Sequence, residues 1–73
     1  MKTQNTIKNY EIRVKGHLGK NAAIWFEDFQ IEYSASGETI LRGPVIDQAA
    51  LFGVLTSIRD LGLTLTLVRE EDD

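Results

Sequence analysis

A chain of 73 residues with eight basic and eleven acidic side chains, a formal charge of −3 and no cysteine has room for one domain. The missing cysteines exclude a disulfide framework, a thiol nucleophile and thiolate zinc sites, and fit a reducing cytoplasm. The negative balance argues against nonspecific nucleic-acid binding, which draws on phosphate neutralisation, and no apolar run approaches the roughly 20 residues that cross a bilayer.

Residues 1–9 are polar and lack the apolar core of a signal peptide, so they read as a frayed tail before a domain over 10–69, with the cytoplasm as the expected location. From Tyr10 to Leu18 the chain alternates: Tyr10, Ile12, Val14, Gly16 and Leu18 share one face, and Glu11, Arg13, Lys15 and His17 the other. That period of two predicts a half-buried strand. Gly19-Lys20-Asn21 is a turn signal. Ala22 to Phe26 is expected to form a turn of helix, because as a strand it would put Trp25 and Phe26 on opposite sides. Phe29, Ile31 and Tyr33 alternate with Gln30, Glu32 and Ser34 as a second strand, and Ala35-Ser36-Gly37 makes a hairpin connection. Thr39, Leu41 and Gly43 against Glu38, Ile40 and Arg42 give a third strand, which Pro44 is expected to end.

The longest element is a helix over about 47–61. Asp47 is the N-cap, and Leu51, Leu55, Ile58 and Leu61 recur at steps of three or four, with Ala50 and Val54 widening the stripe. Gly62 is placed to close the last turn, with Leu63 folding back as its apolar partner. Gly53 in the helix interior predicts the close approach of a strand or of a partner's backbone. Beyond the helix, Leu63, Leu65 and Leu67 alternate with Thr64, Thr66 and Val68 as a fourth strand, and residues 70–73 read as a solvated acidic tail.

The element order is thus β-β-β-α-β, an α+β domain with one helix packed on one face of a four-stranded mixed sheet. A right-handed crossover makes the fourth strand parallel to the third. The preferred spatial order is 3-2-1-4, with 1-2-3-4 open. The uncovered face would carry Glu11, Arg13, Lys15, His17, Gln30, Glu32, Glu38, Ile40, Arg42, Thr64, Thr66 and Val68.

Chemistry is sparse. His17 is the only histidine and has no His-x-His or Cys partner. Ser34, Ser36 and Ser57 lack an activating context, and Gly16-His17-Leu18-Gly19 lacks the glycines and following Lys-Ser/Thr of a phosphate loop. No metal site, cofactor or catalytic residue is expected. A ligand on the open sheet face would use His17 with Arg13, Glu32 or Arg42. Trp25, Phe26 and Phe52 are the candidate interface aromatics, since such residues concentrate binding energy in protein contacts; the reading weighed against it, and favoured, has Trp25-Phe26 cap the open end of the core and Phe52 lie at its boundary.

At Gly43-Pro44-Val45, Asp47 to Leu51 and Ile58 to Leu63 the chain resembles a family of short uncharacterised bacterial proteins with a signature similar to GPVxDQAALxGxLxxIRDLGL. Ile12 to Leu18, the pair Trp25-Phe26 and the turn Gly37 to Thr39 are also similar, so the likeness spans about residues 10–68. It implies no activity. At position 52 the resemblance implies a more polar residue, often His, where this chain has Phe52. A looser likeness, of architecture alone, is to half of a ferredoxin-like or regulatory amino-acid-binding (ACT-type) domain.

The expected function is a non-enzymatic interaction or regulatory module, acting as a homo-oligomer or as the accessory subunit of another protein. The alternative is a small-molecule binder or enzyme on the open sheet face around His17. Neither nucleic acid nor membrane is expected as a partner.

Overall fold

In the computed structural model, which describes residues 7–71, strand β1 (Lys8–Lys15) opens the fold and stops where Gly16 takes a φ of +85°. Only a residue without a side chain enters that region freely, so His17 and Leu18 turn out of the strand they were expected to continue. A single turn of helix, α1 (Lys20–Ala23), runs on into a 3-10 turn over Ile24–Phe26. Strands β2 (Gln30–Tyr33) and β3 (Glu38–Val45) then form a hairpin, and helix α2 (Gln48–Asp60) leads to β4 (Leu65–Glu71). Lys8, Asn9, Glu70 and Glu71 are therefore strand residues. The remainder of the expected tails, residues 1–6 and 72–73, lies outside the described residues.

The fold is α+β, with four strands and the long helix over the expected segment. Asp47 Oδ1 accepts the Ala50 amide at 2.8 Å. At the other end Leu63 N–H bonds the Ile58 carbonyl at 3.1 Å and Gly62 N–H bonds that of Arg59 at 3.0 Å. These two bonds satisfy carbonyls that would otherwise be left unpaired.

The sheet order differs from the expected one. It is 2-3-1-4 instead of 3-2-1-4, and every ladder is antiparallel, where a mixed sheet was expected. The cause is the short helical segment between β1 and β2. It carries the chain across the sheet, so β2 runs in the direction of β1 with β3 between them. In the same way β4 runs in the direction of β3, as expected, but with β1 between them. Two split β-α-β units interlock, which is the ferredoxin-like order of elements with its first helix reduced to one turn.

Cross-strand partners share a face, so the register sorts the layers. Ile12 stands opposite Leu41, and Val14 opposite Thr39. The buried cluster Ile12, Val14, Leu18, Phe26, Leu41 and Ile58 fills the space between the sheet and the helical segments. Each fully buried aliphatic or aromatic side chain there contributes roughly 1.5–3 kcal/mol.

Two local irregularities alter the expected faces. The register slips between Arg13 and Val14, which face Leu67 and Leu65, so Thr66 is an extra residue on β4. Its hydroxyl donates to the Arg13 carbonyl at 3.1 Å and lies 3.0 Å from Glu38 Oε2. Such a bulge reverses the alternation: Leu65 and Val68 belong to the helix side and Leu67 to the open side, whereas Val68 was expected there. Pro44 does not end β3 but pairs within it, opposite Asn9. Strand β2 stops at Gln30 opposite Arg42, so β3 is a local edge at Pro44, where a missing N–H is tolerated.

Candidate functional site

The open face of the sheet is organised by Glu11, which sits opposite Arg42 on β3 and Arg69 on β4, with Arg13 two residues along its own strand. Its side chain is fully buried. Arg13 Nε donates to Glu11 Oε2 at 2.5 Å, and Arg69 Nη2 donates to Glu11 Oε1. The bonds from Arg69 and Arg13 outweigh burial and hold the Glu11 carboxyl below its ordinary value. Glu11 in turn raises Arg13. Arg13 Nη1 reaches Glu38 Oε1 at 3.5 Å. Arg42 Nη1 donates to Glu32 Oε1 at 3.0 Å. Arg42 Nε lies 3.4 Å from Glu71 Oε2 but outside hydrogen-bonding geometry, and is buried without a hydrogen-bond partner.

The arrangement is a lattice of alternating guanidinium and carboxylate groups. Each guanidinium already faces at least one carboxylate, which leaves little net field to attract an anion. Beside it lies a groove of about 390 Å³ lined by Asn9, Asp28, Gln30, Arg42, Gly43, Pro44 and Glu71.

Of the four candidate ligand residues, the structure brings Glu32 and Arg42 into contact and places Arg13 on the same face. His17 is not with them. It lies in the loop after β1, its ring 4.6 Å from that of Tyr33 and tilted by 52°. Tyr33 stands opposite Thr39, on the helix side of the sheet, and its hydroxyl donates to the Leu18 carbonyl at 3.3 Å.

The interface aromatics divide. Phe26, a candidate for an interface or for the core, is 2% exposed and belongs to the core; adjacent residues of a 3-10 turn point about 120° apart, so burying one turns its neighbour outward. Trp25 is 64% exposed, and with Ser57, Asp60 and Leu61 it lines a cleft of about 70 Å³ against the end of α2. Phe52 is 56% exposed. At 100° per residue it lies half a turn round the helix from Leu61, so the two aromatics stand on opposite flanks of α2. Gln48, one turn before Phe52, shares a groove of about 280 Å³ with Lys8, Tyr10 and Glu70. Among the described residues nothing lies within 4 Å of where a side chain at Gly53 would stand, so no described strand approaches it.

Sequence reasoning passed over Glu11 as one open-face residue among many. The alternation Glu11-x-Arg13 was visible, but its meeting with Arg42 and Arg69 depends on strand register, which the sequence does not carry.

Among the described residues no helix is long and apolar enough to cross a membrane, and no cluster of three or more His, Cys, Asp or Glu is placed to hold a metal ion. Compared with known proteins, residues 9–69 match a family model described as a domain of unknown function, DUF8691. No curated protein and no solved structure matches the chain.

Proposed function

Since the chain belongs to DUF8691, a domain family that carries no assigned activity, we propose from its own geometry that it is a non-enzymatic interaction or regulatory module, working as a homo-oligomer or an accessory subunit. The observation that carries this reading is the exposure of Trp25 and Phe52 on opposite flanks of α2. A chain this short buries only about 60% of its unfolded surface, so its large apolar side chains are scarce material for a core. Two of its bulkiest are instead left outside, where aromatics act as anchors of protein contacts.

Light scattering over a wide concentration range tests the homo-oligomer form of the reading. Association that weakens at least tenfold in Trp25→Ala or Phe52→Ala, with the circular dichroism unchanged, supports it. Association indifferent to both substitutions removes the aromatics as anchors.

A second reading, a small-molecule binder on the open sheet face, is favoured by one observation. The buried Arg42 Nε borders the groove without a hydrogen-bond partner. A fragment titration followed by the Arg42 side-chain resonances tests it, and saturable shifts abolished by Arg42→Lys are the expected result.

A further inference from the structure

We propose that β4 is a docking edge for a second copy of this chain, with the two β4 strands pairing antiparallel about Val68 to make one continuous eight-stranded sheet. This rests on the interaction reading above and names its partner and its contact.

Three observations on β4 converge. It is an outer strand of seven residues, and among the described residues no strand pairs with its free edge; the opposite outer strand, β2, has four. Natural edges are guarded by charges or proline that would have to be desolvated on pairing. On β4 the charged side chains, though still partly exposed, are each engaged within the molecule: Arg69 bonds Glu11, Glu70 bonds Lys8 at 3.0 Å and Glu71 faces Arg42. What remains along the edge is Leu65-Thr66-Leu67-Val68. Further, Leu65 and Val68 face the helix side yet are 43% and 38% exposed, so α2 does not extend over them. Gln48 of α2, one turn before the exposed Phe52, lines a groove with Glu70 of β4.

The strand is also compatible with itself. Because β4 runs from Leu65 to Glu71, a two-fold axis at Val68 is at its midpoint. It places Val68 opposite the partner's Val68 on the helix side and Leu67 opposite the partner's Arg69 on the open side. No charge meets a like charge, which would otherwise oppose the pairing. The axis also sets the exposed Val68 side chains of the two copies side by side on the helix side of the sheet. A closed two-fold contact of this kind joins two chains and stops.

The test is a charge exchange at the axis, read as molar mass by light scattering. Wild-type protein should dimerise. Val68→Lys and Val68→Glu should each raise the dissociation constant at least tenfold by setting like charges face to face, and their equimolar mixture should recover the dimer. A dimer unaffected by either substitution overturns the β4 contact and leaves the interaction reading standing. A wild-type chain that stays monomeric throughout overturns the second copy as partner, and directs the search to a different protein at Trp25 and Phe52. Amide hydrogen exchange on the wild-type chain probes the same contact without a substitution. Protection of the β4 amides should rise at least tenfold between dilute and concentrated samples, and exchange that ignores concentration refutes the pairing.

Discussion

The ring of Phe29 lies where a side chain at Gly43 would have to go: a Cβ there would stand 2.8 Å from Phe29 Cδ2 and 3.0 Å from the Asp28 carbonyl oxygen. The aromatic fills the bare stretch of β3 just before Pro44 and ties the β2 approach to the strand. Gly43→Ala should destabilise the fold by about 1–3 kcal/mol, as overpacking does. In a domain of this size each kcal/mol lowers the melting temperature by about 4–8 °C. Thermal unfolding of Gly43→Ala and of Phe29→Leu/Gly43→Ala checks this, and the second substitution should relieve part of the first.

The neighbours Trp25 and Phe26 should respond in opposite ways. Phe26→Ala empties the centre of the core and should cost about 3–5 kcal/mol, enough to unfold much of the population of a marginal domain. Trp25→Ala should stay within about 0.5 kcal/mol of wild type, as exposed substitutions do. Equal losses on denaturant unfolding would show that the tryptophan is part of the core.

Glu11 makes the fold acid-sensitive. Its carboxyl is held below the ordinary value chiefly by Arg69 and then Arg13. A carboxylate depressed on folding contributes stability that is present above its unfolded value and is lost as pH falls through the folded one. Glu11→Gln should therefore be less stable at neutral pH, by about 1.5 kcal/mol for the loss of charge-assisted bonds. The gap should close as the pH drops below the ordinary carboxylate range. Denaturant midpoints of both proteins across that range check it, and a gap independent of pH would mean that the carboxylate contributes no linked protonation.

Gly53 offers a stabilising change. It lies inside α2 with open space around it, so Gly53→Ala should raise stability by about 0.5–1 kcal/mol through helix propensity and chain entropy. Thermal unfolding in dilute solution is the measurement. A loss there would mean that the helix surface at this point is not open.

What the sequence disclosed, and what it withheld, follows from the range of the forces involved. The helix was legible down to its caps because Asp47, the Leu51–Leu61 stripe and Gly62 act within a few residues of one another. The strands were legible from alternation. The order of the sheet was not, because it turned on whether the seven residues from Lys20 to Phe26 are a detour in a hairpin or a crossing of the sheet, and local pattern is the same for both. The bulge at Thr66 was equally hidden. Leu63, Leu65 and Leu67 alternate in sequence, yet an extra residue puts Leu67 on the other side. Of the candidate site residues, Glu32 with Arg42 survived as a pair, while His17 left the group once Gly16 ended its strand.

The place of β1 bears on the order of events during synthesis. Of the described strands it is made first and ends as an inner strand, but its partners begin at Glu38 and Leu65. Its Ile12 and Val14 thus remain without a ladder while most of the domain is still being translated. The β2–β3 hairpin, α2 and the short helical segment are by contrast built on local contacts. Both ladders that hold β1 thus join distant stretches of the chain, and such non-local pairings make a domain slower to fold than one built on local contacts.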